Sequence, residues 1–143
     1  MRAIELLIEY TKLRKKILRL QSQIDEIKER AESLSAWSDS DKVQTSHDPD
    51  KIGKVIAILS DMEDERNDLI IEAAGRMNDI EELLMQLDNP DYALVLQYKY
   101  IRGLTYEQTA EKMYCTARWA MKLRRRALRA LDERMKDDSR FLE

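Results

Sequence analysis

Apolar residues recur at alternating steps of three and four along the first 34 residues of the chain. This spacing places them on one side of an α-helix, as a heptad seam that needs a second helix to cover it. The segment contains no Pro or Gly, so the pattern predicts one continuous helix over residues 1–34. The seam consists of Ala3, Leu6, Tyr10, Leu13, Ile17, Leu20, Ile24, Ile27, Ala31 and Leu34.

A polar stretch over residues 35–49 interrupts this pattern. Ser, Asp and Pro dominate it, which predicts a loop. We expect Trp37 and Val43 to hold the loop against neighbouring helices, and a partner site is the alternative interpretation. His47 is expected to lie on the surface of the loop.

A second heptad seam predicts a long helix over residues 50–87. Arg66 and Arg76 occupy seam positions and weaken the pattern. Gly75 also lies inside it, where it costs roughly 1 kcal/mol relative to Ala and suggests a bend. The apolar members of the seam are Ile52, Val55, Leu59, Met62, Leu69, Ala73, Ile80, Leu83 and Leu87.

The two long helices carry opposite charges. The second is acidic, whereas the first contains a basic cluster of Lys12, Arg14, Lys15, Lys16 and Arg19. Folding back as an antiparallel hairpin would bring this cluster near Asp68 and Glu72, although exposed ion pairs contribute only about 0–1 kcal/mol each. Two alternatives stay open: the cluster contacts DNA, or the seams pair between copies of the chain.

Pro90 marks a boundary between this helical region, residues 1–89, and a C-terminal module, residues 90–143. A proline favours the end of the preceding helix, and Asn89 or Asp91 can cap the next one. The fold class expected for the whole chain is all-α, with a long antiparallel hairpin followed by a three-helix module.

Turn and cap residues divide the module into three short helices, over residues 92–101, 106–113 and 117–134. Gly103 stands where a left-handed residue is needed. Thr105 and Gln108 have the spacing of a capping box, and Thr116 is a second N-cap. The third helix has an inward stripe of Ala120, Leu123, Ala127 and Leu131. Two short helices joined by a tight turn form a helix-turn-helix.

Positive charge is concentrated in the third of these helices, within a chain of net charge −3. Between residues 117 and 131 there is no acidic residue, and the basic ones are Arg118, Lys122, Arg124, Arg125, Arg126 and Arg129. Such a face suits the phosphates of nucleic acid. The alternative is a solvated basic helix favoured by its dipole. We expect Trp119, in the same helix, to be buried against a neighbouring helix.

The module resembles region 4 of bacterial sigma-70 factors. Three stretches follow the order and spacing of that region: VLQYKY (95–100), GLTYEQ (103–108) and RALRAL (126–131). Residues 100–105 and 113–116 also resemble the ArpU-like and RinA-like transcription regulators of phages and prophages. Tyr114 stands at a turn position where most helix-turn-helix units have Gly, which departs from the sigma pattern and resembles the phage group.

The resemblance implies that residues 117–131 form the recognition helix and enter the major groove of double-stranded DNA. Arg118 and Lys122 would each reach guanine O6 and N7. Ala117 and Met121 occupy the other base-facing positions, but they depart from the polar residues usual in sigma factors, so a different target sequence is expected. The remaining candidates for DNA contact, mainly to phosphate, are Thr105, Tyr106, Thr116, Arg124, Arg125 and Arg126.

Composition restricts the fold class of the chain and the kinds of site that it can contain. With 37% charged residues, three Gly and two Pro, the chain suits long exposed helices better than a β-rich fold. One Cys and one His exclude an internal disulfide and argue against a metal site. We expect a cytoplasmic protein without membrane contact, because the sequence has neither a signal-peptide pattern nor a sufficiently long apolar stretch.

The sequence therefore predicts a DNA-binding transcriptional regulator of phage or prophage type. A homo-oligomer formed through the N-terminal helices would double its DNA site. One alternative is a protein–protein module that binds RNA polymerase or another transcription factor, and another is a DNA-binding small subunit of a phage packaging machine. No enzyme and no cofactor are expected, since the chain lacks a Gly-rich phosphate loop, a metal set and a nucleophile–base pair.

Overall fold

The computed structural model describes the backbone of residues 1–40 and 49–142, and the side chains of residues 1–33 and 50–142. Within these residues the fold is all-α, as expected, with five α-helices and no β-strand. The helices are α1 (Ala3–Ser40), α2 (Pro49–Met85), α3 (Pro90–Leu96), α4 (Tyr106–Met113) and α5 (Ala117–Lys136). A π-helical turn over Gln97–Ile101 follows α3, and a 3-10 turn over Ser139–Phe141 follows α5.

The two long helices agree with the heptad analysis except at their ends. Residues 35–40 are helical where a loop was expected, because Ser and Asp weaken a helix without ending it. Helix α2 begins at Pro49, whose fixed φ suits a first turn, and it continues through Gly75 without interruption. The expectations for the side chains of Trp37, Val43 and His47 lie outside the described residues.

The chain divides into two compact units. Unit 1 comprises Met1–Arg14 and Ala73–Glu143, and unit 2 comprises Lys15–Glu72. Both long helices therefore contribute residues to each unit, and this division does not follow the boundary that the sequence indicates at Pro90. That boundary remains a prediction about independent folding.

Unit 1 holds most of the buried core. Helix α5 packs on α3 and on α4, and its predicted inward stripe of Ala120, Leu123, Ala127 and Leu131 is buried, as expected. Leu7 and Leu84 are buried as well, although they lie beside the predicted seams and not in them. The fully buried large aliphatic side chains of this unit are Leu7, Ile80, Leu83, Val95, Leu96 and Leu131.

Polar contacts within unit 1 hold the start of α1, the 3-10 turn and the last part of α2. The backbone N–H of Ala3 donates to Asp132 Oδ1 at 2.7 Å, so a carboxylate lies at the positive end of α1. Arg140 donates from Nη1 to Asp79 at 3.0 Å and to Glu82 at 2.8 Å, which ties the 3-10 turn to α2. The seam residue Arg76 pairs with Glu9 of α1 and is therefore satisfied.

Unit 2 contains segments of two helices and has a small core. Leu20 and Ile24 of α1 are buried there. Gln21 accepts a hydrogen bond from Arg66 at 2.9 Å, and Lys28 pairs with Glu63 at 3.1 Å. Residue numbers rise along α1 while they fall along α2, as in antiparallel helices. The seam residue Arg66 thus finds a polar partner on the facing helix.

Candidate nucleic-acid interface

The segment before α4 is shaped by a left-handed glycine and by an arginine from α1. The predicted helix over residues 92–101 is divided into α3, capped by Asn89, and the π-helical turn. Gly103 has φ +69, as expected. The Arg14 guanidinium donates to the carbonyl oxygens of Ile101 and Arg102, which a helix end leaves unpaired. A Cβ on Gly103 would lie 3.3 Å from Arg14 Nη1, so this close approach also favours glycine.

Helices α4 and α5 are joined by a tight turn with a cap on each side. The capping box is formed as predicted: Gln108 N donates to Thr105 Oγ1 at 3.1 Å, and Thr105 N donates to Gln108 Oε1 at 3.0 Å. At the start of α5, Trp119 N donates to Thr116 Oγ1 at 3.1 Å. Tyr114 ends α4 in the left-handed region, with φ 56 and a side chain that is 97% exposed.

The side of α5 opposite its buried stripe is cationic. Arg118, Lys122, Arg125 and Arg129 are exposed on this outward face, and none forms an ion pair with another residue that the structure describes. Met121 lies among them and is 40% exposed, whereas Ala117 is half-buried. The outward face therefore combines unpaired cations with one flexible apolar side chain.

Arg124 occupies a different position from its neighbours. It lies one helical turn after Ala120 and is half-buried, and its Nε donates to the Tyr100 hydroxyl at 2.7 Å. Burial is the largest single influence and lowers the pKa of Arg124, but the hydrogen bonds and charge interactions with Tyr100 and Tyr106 together outweigh it, so its pKa is raised. Arg124 thus connects α5 to the π-helical turn, a role that the sequence pattern did not indicate.

Lys99 makes a second link beneath the start of α4. Its Nζ donates to the carbonyl oxygen of Leu104 at 2.9 Å and lies 4.0 Å from the centroid of the Tyr106 ring. Burial lowers the pKa of Lys99, and the charge of Arg124 lowers it further. The ring of Tyr106, a predicted phosphate contact, is therefore in contact with a lysine, while its backbone N–H belongs to the first turn of α4.

The expectation that Trp119 is buried is wrong. Its side chain is 41% exposed, because it precedes Ala120 by one position and lies about 100° around the helix from the buried stripe. The Arg126 guanidinium carbon lies 5.2 Å from the centroid of its ring. This cation–π contact holds the Arg126 side chain beside the Trp119 ring on the surface.

These features define an all-α protein in which a capped turn holds a cationic helix against two shorter helices. The chain belongs to the family described as "Protein of unknown function (DUF1492)", which matches residues 33–132. The matched span includes α3, α4 and the whole outward face of α5. No curated protein and no solved structure matches the chain.

Two kinds of feature are absent from the described residues. No helix there has the length and apolarity that crossing a membrane requires. Among the same residues, no group of three or more His, Cys, Asp or Glu side chains is placed to hold a metal ion.

Proposed function

We propose that this protein is a sequence-specific DNA-binding transcriptional regulator, in which α4 and α5 form a helix-turn-helix and α5 enters the major groove. The row of exposed cations on the outward face, which form no ion pair with another described residue, carries the proposal. Phosphates attract such cations, and release of the counterions that surround DNA then favours binding.

The dipole of α5 does not account for this charge. Cations are favoured in the last turn of a helix and disfavoured in the first. Arg118 is the second residue of α5 and lies at the positive end of the helix, whereas Lys122 lies one turn later, where the dipole effect has fallen off. The position of Arg118 is electrostatically unfavourable in the free protein, and a polyanion bound at this end would remove that cost.

The residues of α5 and of the two N-caps differ in their proposed roles. Arg118 and Lys122 donate to guanine O6 and N7, and Met121 makes an apolar contact with a thymine methyl group. Arg125 and Arg126 contact phosphate. Thr105 and Thr116 accept backbone hydrogen bonds with their oxygens, so each hydroxyl proton stays available to a phosphate oxygen. Arg124 holds α5 in place by its bond to Tyr100.

Regulation of transcription, in a phage or prophage, is the part of the proposal that rests on resemblance. The stretches GLTYEQ and RALRAL resemble sigma-70 region 4, and the tyrosine in the turn resembles the ArpU-like and RinA-like regulators. In the structure this tyrosine has the left-handed conformation that a glycine adopts without cost. Tyr114 therefore has the conformation that a glycine would adopt at this position of the turn.

Selection from a pool of random duplex DNA tests the proposal. The bound fraction is sequenced for the wild type and for an Arg118→Ala/Lys122→Ala variant. A Lys51→Ala/Lys54→Ala variant is the control, because it removes the same charge from two exposed positions of α2.

We expect the wild type and the control to enrich one motif and the Arg118→Ala/Lys122→Ala variant to lose or relax it. Circular dichroism would check that all three chains have the same helix content. Absence of any enriched motif, with weak binding that all three chains share, would overturn the proposal and favour the protein–protein module.

A further inference from the structure

Arg126 differs from the other exposed cations between residues 117 and 131, because its side chain has a described partner. The Arg126 guanidinium carbon lies 5.2 Å from the centroid of the Trp119 ring. The side chains of the other exposed cations form no hydrogen bond, ion pair or ring contact within the described part of the chain. These other cations are Arg118, Lys122, Arg125 and Arg129.

The contact brings the charge of Arg126 toward the first half of α5. Seven residues separate Trp119 from Arg126, which is almost two helical turns, so both lie on one side of the helix with Cα atoms roughly 10.5 Å apart. Long side chains on a helix lean toward its N-terminus. The Arg126 guanidinium therefore reaches back along α5 to the Trp119 ring, beside Lys122, which is one turn from each of the two residues.

Repulsion from like charges would otherwise act on Arg126. Lys122 precedes it by four residues and Arg129 follows it by three, and like charges at these spacings on a helix repel each other. No acidic residue lies between residues 117 and 131 to offset this repulsion. The Trp119 ring attracts the guanidinium and so holds it close to Lys122.

The contact with Trp119 leaves the hydrogen-bond donors of Arg126 available. An aromatic ring attracts a cation through its face, whereas the five N–H groups of an arginine lie in the guanidinium plane. No described residue accepts a hydrogen bond from the Arg126 side chain. Two of these N–H groups can donate together to the oxygens of one phosphate. Arg126 is thus held in place and is still able to bind an anion.

We propose that Trp119 is a positioning residue of the DNA site, which holds the Arg126 guanidinium beside Lys122 for contact with a phosphate. This inference rests on the proposed function, because it requires DNA against α5. An arginine loses much of its rotamer freedom when it binds, and one that is already held loses less. Arg125 is exposed and has no such ring, so it provides the comparison.

Fluorescence anisotropy with a labelled duplex of random sequence, at several salt concentrations, tests this role. Trp119→Leu removes the ring and keeps an apolar side chain, whereas Trp119→Phe keeps a ring. Trp119→Leu is then combined with Arg126→Ala and, as the matched control, with Arg125→Ala. Circular dichroism checks that every variant has the helix content of the wild type.

We expect Trp119→Leu to raise the dissociation constant about threefold to tenfold, and Trp119→Phe to stay within about twofold of the wild type. In the Arg126→Ala background, Trp119→Leu should have no further effect, because the side chain that it positions is absent. In the Arg125→Ala background its effect should be retained in full, since independent contributions add in free energy.

The possible outcomes separate this role from the proposed function. Salt-dependent binding by the wild type that Trp119→Leu leaves unchanged, or weakens equally with and without Arg126, would overturn the positioning role alone. Equal weakening by Trp119→Leu and Trp119→Phe would also overturn it. A wild type that shows no salt-dependent binding of the duplex would overturn the proposed function and this role with it.

Discussion

Units 1 and 2 differ in what they leave exposed. Unit 1 buries an extensive apolar core that includes Leu7, Leu96 and Leu131. Its outward face on α5 consists mainly of cations that form no ion pair within the described part of the chain. Unit 2 buries Leu20 and Ile24, while several of its isoleucines are exposed. The two units are built in part from the same long helices, so helix length and heptad pattern do not determine this difference.

The difference indicates two kinds of partner. A surface of unpaired cations gains most from a polyanion, and its interaction weakens as salt rises. A surface of exposed aliphatic side chains gains by leaving water, which salt affects much less. Binding at these two surfaces should therefore respond to different conditions and to different substitutions.

The largest expected effect is a difference in the free energy of unfolding between a substitution in the core of unit 1 and one on the surface of unit 2. Leu131 is fully buried, so Leu131→Ala should lower the free energy of unfolding by about 3 kcal/mol through lost burial and a cavity. Ile71 is 71% exposed, so Ile71→Ala should change it by less than about 0.5 kcal/mol. Urea denaturation measures both. Equal losses in the two variants would contradict the packing described for these units.

Two adjacent arginines of α5 are expected to have different roles, because Arg124 contributes to stability and Arg125 is proposed to contact phosphate. Arg124→Ala leaves the Tyr100 hydroxyl without its donor and should cost about 1 kcal/mol of stability, a value discounted for partial exposure. Arg125→Ala should leave stability unchanged, since Arg125 is exposed and makes no described polar contact. It should instead lower the slope of log binding constant against log salt by about 0.9, the effect of one lost phosphate contact.

Denaturation and DNA binding at several salt concentrations would be compared for the two variants. The expected pattern is a crossed one, in which each substitution changes one of the two measurements. If Arg125→Ala destabilised the fold as much as Arg124→Ala, the assignment of the two side chains to different roles would be wrong.

The same arginines show how far sequence could predict the site. Helical periodicity identified the buried stripe of α5, and cap chemistry identified Thr105, Gln108 and Thr116, because both depend on residues close in sequence. The role of Arg124 depends on Tyr100, which is 24 residues away and is placed by the π-helical turn. A regular α-helical pattern predicts no π-helical turn, so this contact was not accessible from spacing alone.

Long-range contacts also explain other differences between the sequence-based expectations and the structure. Arg14 belonged to a basic cluster in the sequence, but its guanidinium donates to the carbonyl oxygens of Ile101 and Arg102 at the end of the π-helical turn, 87 and 88 residues away. Trp119 was expected to be buried against a neighbouring helix, yet it lies beside the stripe, is 41% exposed and contacts Arg126. The all-α class was predictable because it depends on periodicity, which is a local property.

A smaller effect is expected at the turn between α4 and α5. Tyr114 has φ 56, which costs a residue with a Cβ about 1 kcal/mol relative to glycine. Its side chain is 97% exposed, so little burial is lost on substitution. Tyr114→Gly should therefore raise the thermal midpoint of unfolding, and Tyr114→Ala should not. An equal rise in both variants would point to the ring and exclude backbone strain as the cause.

The smallest expected effect concerns the C-terminal end of unit 1. Side-chain and backbone hydrogen bonds from Arg140 hold the pKa of Asp138 below its ordinary value of 3.8. Because the folded-state pKa is depressed, the contribution to stability is complete above pH 3.8 and is lost as pH falls through the lower folded value.

Asp138→Asn removes this titration and keeps the size of the side chain. Wild type should unfold at a slightly higher temperature than the variant at neutral pH, and the two midpoints should converge as the medium is acidified below the ordinary carboxyl range. A difference that stayed constant over that range would show that the Asp138 charge contributes nothing.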